Sequence, residues 1–285
     1  MILTIPHFTW CITANQRMIF HSLMLLKSLK LYKKCNKYYC TIFVLEKERN
    51  LIPKELENEC EILTYKNNLN LITPWNSTPK WNVSPKGDVI VGLDSDVILF
   101  NPSELSKYIK LCDQNQSVCA TIACTNPFYY KNYKKFEWTN DDWLRLADNM
   151  DIKMDFNYFS TQTKKSCPLY FNNGVVLIPC KYLDLYREKI KHYTSKIVKF
   201  MGNEHHFISQ IATTFSMLKN NFNFIPMDKY FNFLETANFC HNTNKIVFYH
   251  YNVSRDFFSN KKEICNLNNF FLKSYIQMLI NIRCN

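Results

Sequence analysis

Two periods of apolar residues run along this chain. Phe8–Ala14 (FTWCITA), Tyr39–Leu45 (YCTIFVL), Glu61–Tyr65 (EILTY) and Asp88–Leu93 (DVIVGL) are short runs rich in β-branched and aromatic residues, which predicts strands. The second run is apolar nearly throughout, so it should be buried on both faces of a sheet. Between the first two, Arg17–Leu31 places Ile19, Leu23 and Leu26 at helical spacing. Further on, Tyr170–Pro179 (YFNNGVVLIP) and Lys245–Tyr251 (KIVFYHY) read as strands. Tyr182–Phe200 reads as a helix with Tyr186, Ile190, Tyr193 and Ile197 on one stripe, and Glu204–Leu218 as a helix with Phe207, Ile211, Phe215 and Leu218 inward. Asn268–Ile282 reads as a terminal amphipathic helix. Strand, helix, strand, then further strands is an α/β order. It predicts a single Rossmann-like domain whose central sheet is mostly parallel and flanked by helices.

Residues 126–163 break the pattern. They are aromatic and polar with weak periodicity, and we read them as a long excursion with a short helix at Asp141–Met150. No linker, repeat or low-complexity tract divides the chain. The expected organisation is one domain over 1–258 and a helical extension over 259–285.

The most informative stretch is Val89–Phe100, VIVGLDSDVILF. Asp94 and Asp96 stand between two apolar runs of strand length, where a buried strand should end and the chain turn into another short one. A carboxylate pair with only apolar neighbours calls for a cation. Hard oxygen ligands suit Mn²⁺ or Mg²⁺, and such an ion can hold a diphosphate. Ligands of open α/β sheets bind beyond the carboxyl ends of the strands, where the first strand would deliver Thr13, Ala14 and Asn15 and the fourth would deliver Asp94 and Asp96.

Composition narrows the chemistry. With only 4 Gly the chain has no glycine-rich phosphate loop, so phosphate binding must come from a metal and from Lys or Arg side chains. The formal charge of +11 would attract polyanions, but the lysines are dispersed, which reads as a solvated basic surface and not as a nucleic-acid site. The 12 Cys form no C-x-x-C zinc pattern, and several lie in apolar runs, which favours a reducing compartment. Neither a signal peptide nor a membrane span is evident, and of four glycosylation-type sequons, at Asn76, Asn82, Asn115 and Asn252, two crowd the stretch just before the Asp pair, where glycans would obstruct a site. A cytoplasmic location is expected.

With these pieces placed, the chain resembles nucleotide-sugar glycosyltransferases of the GT-A fold, most closely the glycogenin-like and galactosyltransferase-like enzymes of family 8. The resemblance spans roughly residues 8 to 256 and rests on five segments in order. FTWCITANQRMIFHSLMLLKSLK is similar to the family's nucleotide-binding start, GLDSDVILFNP to its Asp-x-Asp turn, and FNNGVVLI to its donor-pocket strand. GNEHHFISQIA is similar to its acidic helix start, and KIVFYHYNVSRDFF to its closing segment. Two departures stand out. Glu204-His205 replaces the usual Asp-Gln, and the Gly and Lys-Pro-Trp that follow the metal histidine are missing, with Arg255 the nearest basic substitute.

The resemblance implies transfer of a sugar from a nucleotide diphosphate, with UDP the expected nucleotide, to an acceptor hydroxyl of a glycan, protein or small molecule, and it puts the 126–163 excursion on the acceptor side. It implies Asp94, Asp96 and His250 as ligands of Mn²⁺ or Mg²⁺, with Asp94 also facing the ribose. Thr13, Asn15, Lys80, Asp94 and Arg255 would contact the donor. Asn173 would hydrogen-bond sugar hydroxyls or support charge at the anomeric carbon. Glu204 would bind sugar hydroxyls, act as base for the acceptor, or only complement the dipole of its own helix. The plainer alternatives are a buried strand histidine at 250 and an ordinary surface lysine at 80. Two other functions share the Asp pair. A metal-dependent phosphoryl or nucleotidyl transferase would add a further carboxylate and a phosphate loop, and a non-catalytic sugar- or polyanion-binding relative would keep the fold without turnover.

Overall fold

The computed structural model describes residues 4–33, 37–71, 73–74, 78–123, 127, 140–160, 164–203, 206–234 and 245–251. Its strands are β1 (Pro6–Ile12), β2 (Tyr39–Leu45), β3 (Glu61–Tyr65), β4 (Val89–Leu93), β5 (Val97–Leu99), β6 (Val118–Ile122), β7 (Tyr158–Phe159), β8 (Ser166–Cys167), β9 (Phe171–Pro179), β10 (Phe224–Met227), β11 (Asn232–Leu234) and β12 (Phe248–His250). Its α-helices are α1 (Gln16–Lys33), α2 (Lys54–Glu57), α3 (Pro102–Asn115), α4 (Asp141–Met150), α5 (Leu183–Met201) and α6 (Ile208–Lys219).

Seven strands form the central sheet in the order β10-β6-β9-β4-β1-β2-β3. All neighbours run parallel except β9, which is antiparallel to both β4 and β6. The mostly parallel sheet expected from the sequence is therefore present. From β1 the chain winds outward to β2 and β3 on one side, while β4 joins β1 on the other. That reversal opens a crevice at the carboxyl ends of β1 and β4, where ligands of such sheets bind.

Side-chain alternation divides the core between the two faces. Cys11, Phe43 and Ile90 point to a face covered by Trp143 and Leu146 of α4, Ile190 of α5 and Phe215 of α6. Trp10, Ile42 and Val91 point to the other, against Leu25 and Leu29 of α1, Leu56 of α2 and Ile109 of α3. β2 is buried along nearly its whole length, as its apolar run requires.

A second sheet, β11-β12-β5, stands beside the first. It changes the expectation for α1. Of the expected Ile19–Leu23–Leu26 stripe only Leu26 is buried, Ile19 and Leu23 being half-buried, and the buried face is built with Phe20, Met24, Leu25, Ser28 and Leu29 instead. The reason is that α1 is sandwiched. The Leu99 N–H of β5 donates to Ser28 Oγ at 3.0 Å, and that hydroxyl donates to Leu25 O at 2.7 Å.

The expected bounds hold for β2, β3 and α4, and most others differ by a residue or two. The helix expected from Glu204 starts at Ile208, and no acidic residue occupies its first turn. Within 126–163, Trp143 is buried against Tyr170 and Phe215, so part of this excursion is core. The 259–285 extension lies outside the described residues. Among the described residues, no helix is long and apolar enough to cross a membrane.

Candidate active site

The Asp94–Asp96 turn bridges the two sheets. β4 ends at Leu93 in the central sheet, and β5 begins at Val97 in the smaller one. The Asp94 N–H donates to Gly174 O on β9 at 2.9 Å, which ties the turn's first carboxylate to the neighbouring strand. β5 then pairs antiparallel with β12, placing His250 opposite Val97. The Tyr251 N–H closes this pairing on Asp96 O at 3.2 Å. One ligand atom from each of Asp94, Asp96 and His250 lies within 4.8 Å of the others. Nε2 of His250 is 3.3 Å from Asp96 Oδ1.

Asp96 and His250 are buried, whereas the Asp94 side chain is 41% exposed and faces the crevice. Two carboxylates and an imidazole at such spacing could hold a divalent cation.

Lys80 is not a surface lysine. It is 8% exposed and lies inside the site. Its ammonium donates to Asn173 O at 2.8 Å, Asp94 Oδ1 at 3.2 Å and Leu93 O at 3.3 Å. A lysine has three N–H groups, and here each has a protein acceptor. Lys80 therefore clamps the ends of β4 and β9 and partly neutralises Asp94. Two features set its position. The preceding Thr78 has left-handed backbone (φ 61°, ψ 36°), which is strained for a β-branched residue. The following Trp81 lays its indole on Gly92, where a Cβ would stand 2.2 Å from the ring.

Strand β9 brings two asparagines to the site in different ways. Asn173, expected on the sugar side, is 5% exposed. Its N–H donates to Gln210 Oε1 at 3.0 Å and its Nδ2 to Thr213 Oγ1 at 3.3 Å, both on α6. Its Oδ1 is buried without a hydrogen-bond partner among the described residues. Asn172, which sequence reasoning passed over, accepts on Oδ1 from the Gly174 N–H at 2.7 Å and from Asn232 Nδ2 at 3.0 Å. Asn232 Oδ1 in turn faces His250 Nδ1 at 3.3 Å. Neither Asn172 nor Asn232 carries a distinguishing local signal, although Asn172 lies in the same Asn-Asn-Gly that drew attention to Asn173.

At the other wall of the crevice, Thr13 and Asn15 follow β1 as expected. Asn15 caps α1: its Oδ1 accepts from the Met18 N–H at 2.9 Å, and its Nδ2 donates to Thr13 Oγ1 at 2.7 Å. Glu48, just past β2, was also passed over. Its Oε2 accepts from the Ala14 N–H at 2.7 Å, so it adds a carboxylate to this edge. Its position soon after a parallel strand was the available signal. Beneath, burial pushes the Cys11 thiol up to about 12 against the opposing pull of Lys80, so it stays protonated and inert. Glu204 and Arg255 lie outside the described residues.

No family model and no curated protein sequence matches this chain. Solved structures do. The galactosyltransferase LgtC, solved with donor and acceptor sugar analogues, is 15% identical, with 86% of this chain and 87% of that chain covered at a TM-score of 0.51. An active-site mutant of LgtC matches at 14% identity, with the same coverage and TM-score. A glycosyltransferase involved in glycosylation of the major capsid of PBCV-1 is 11% identical, covering 90% of this chain and 97% of that chain at a TM-score of 0.50. Together with the sheet order, the antiparallel β9 and the Asp-x-Asp turn between two sheets, these likenesses show that the chain has the GT-A glycosyltransferase fold.

Proposed function

We propose that this protein is a metal-dependent glycosyltransferase that moves a sugar from a nucleoside diphosphate, UDP in our reading, to an acceptor hydroxyl. The observation that carries the proposal is the convergence of Asp94, Asp96 and His250 at the crevice of a GT-A fold. Structures of this fold that resemble the chain include a galactosyltransferase crystallised with donor and acceptor analogues.

Asp94, Asp96 and His250 would hold Mn²⁺ or Mg²⁺. When bound, the ion supplies Lewis-acid stabilisation of the negative charge that develops on the leaving diphosphate. Asp94 faces the crevice and is free to bind ribose as well. Lys80 holds Asp94 in place. Thr13, Asn15 and Glu48 would line the nucleoside edge. Asn173 would offer its buried, unpartnered Oδ1 toward the sugar side. Glu204 and Arg255 complete the proposed set, Glu204 near the acceptor and Arg255 on the diphosphate. Retention at the anomeric carbon is the outcome implied by the resemblance to family 8.

The test is a screen of nucleotide sugars with Mn²⁺, reading the nucleoside diphosphate released. UDP release from one or more donors, abolished by chelator, is the expected result. Absence of both donor turnover and Mn²⁺-dependent donor binding across UDP-, GDP- and CDP-sugars would reduce the chain to a non-catalytic relative. Release of nucleoside monophosphate or inorganic phosphate instead would make it a nucleotidyl or phosphoryl transferase.

A further inference from the structure

We propose that Asn232 is a positioning residue that decides which nitrogen of His250 carries the proton, and thereby aims the other nitrogen at Asp94 and Asp96. The proposal rests on the reading of these three residues as a cation site. The starting point is a backbone amide. Side-chain amide oxygen and nitrogen have nearly the same shape, so their orientation must be set by a partner whose role is fixed. The Gly174 N–H can only donate, and it meets the Asn172 side chain at 2.7 Å, so the atom there is Oδ1. That oxygen also faces Asn232 at 3.0 Å, so the Asn232 atom must be the donor Nδ2. Asn232 Oδ1 is then left against His250 Nδ1 at 3.3 Å. An oxygen there accepts, so Nδ1 carries the hydrogen. Nε2, 3.3 Å from Asp96 Oδ1, is the imidazole atom left with a lone pair for a cation.

The relay is sheltered. Asn232 is 2% exposed and His250 is 4% exposed, so little water competes for either group. Both lie on the small sheet, Asn232 on β11 and His250 on β12, and the parallel pairing of these strands fixes their separation. The partner of a ligating histidine's second nitrogen commonly sets its orientation and basicity, and its loss weakens metal binding. Asn suits this place for a specific reason. It offers an acceptor to Nδ1 and a donor to Asn172 at once, which neither Asp nor Leu can do.

Two variants separate the acceptor from the packing. Asn232→Leu and Asn232→Asp both lose the donor to Asn172, but only the Asp variant keeps an oxygen for Nδ1. Mn²⁺ alone is the probe, titrated by electron paramagnetic resonance. Binding should weaken about 10- to 100-fold in Asn232→Leu and stay within about threefold in Asn232→Asp. Separately, ¹⁵N NMR of histidine-labelled wild-type protein loaded with diamagnetic Mg²⁺ should show the proton on Nδ1 of His250. Equal Mn²⁺ affinities in the two variants, or a proton on Nε2 in the Mg²⁺-loaded wild type, would overturn the proposal. Failure of wild-type protein to bind Mn²⁺ would instead overturn the cation reading on which the proposal rests.

Discussion

Gly174 passes so close to His250 that a methyl group on its Cα would stand 2.6 Å from the imidazole Cε1 and 2.7 Å from Nδ1. These are atoms of a buried ring that cannot swing aside cheaply, and the same methyl would meet the Asn172 side chain at Oδ1, 2.8 Å away. The strand that carries the asparagines and the strand that carries the metal-ligand candidate thus fit together only because residue 174 has no side chain. Gly174→Ala should push His250 away from Asp96. We expect Mn²⁺ affinity to fall by about tenfold or more, the range seen when support for a ligand is lost. Unchanged Mn²⁺ binding in a folded Gly174→Ala variant would show that His250 is not needed at the ion.

Asp96→Ala should abolish sugar transfer while the protein stays folded. Asp96 lies in the turn past β4, and truncation removes a proposed ligand together with its contact to His250 Nε2, outside both layers of the apolar core. The loss should be about 10³-fold in kcat/KM or greater, equivalent to roughly 4 kcal/mol of transition-state stabilisation. The check is donor turnover at saturating Mn²⁺ beside a circular-dichroism melt. Near-normal turnover would remove the carboxylate from the mechanism.

Lys80→Met should act through the protein and not through the donor. The variant leaves Asn173 O and Leu93 O without their donor and Asp94 without its cation. Because Asp94 is well exposed, solvent offsets part of its loss, and we expect a destabilisation of about 2 kcal/mol. Urea unfolding measures it. A variant of native stability whose donor affinity alone has dropped would place the ammonium on the diphosphate instead.

Stability should fall as the solution is acidified from pH 6.5 toward pH 4, with His7 as one cause. This histidine is fully buried at the opposite end of the sheet from the site. Its Nδ1 accepts from the Lys86 N–H at 3.2 Å, its Nε2 is 2.8 Å from Thr41 Oγ1, and Thr41 donates onward to Glu61 Oε2 at 3.0 Å. Burial first, and then the charge of Lys86, lowers its pKa from 6.5 to about 4. Between those values the unfolded chain binds the proton and the folded one does not. The contribution is therefore fully present above pH 6.5 and is lost as pH drops through the window, by ~3 kcal/mol in all. Urea midpoints taken from pH 7.5 to 4.5 should fall more steeply in the wild type than in His7→Gln. Parallel slopes would mean that His7 is protonated in the native state.

Much of the fold was legible because local pattern reports local burial. The unbroken apolar run of β2 requires cover on both faces, and β2 lies between β1 and β3 with Phe43 packed into one layer of the core and Ile42 into the other. The amphipathic stripe at Tyr186, Ile190, Tyr193 and Ile197 is the buried face of α5. The paired carboxylates between two apolar runs announced a turn at a strand end, and that is where Asp94 and Asp96 stand. The resemblance of five ordered segments added His250, which no local pattern would have singled out.

Whereas α2, α3, β6, β7, β8, β10 and β11 emerge only in the structure, what the sequence determined by itself was a large part of the elements, their mostly parallel α/β assembly and the carboxylate turn. Each of these follows from side-chain periodicity over a few residues. Tertiary structure alone decided how β12 pairs with β5 to set His250 beside Asp96, and how Asn232 and Asn172 come to face the imidazole. It alone turned Lys80 inward onto three protein oxygens, brought Glu48 to the edge of the crevice and made Gly174 indispensable. Such relationships join residues far apart in the chain. They depend on strand register and on the close approach of backbones, and neither leaves a periodic trace in the segments that meet.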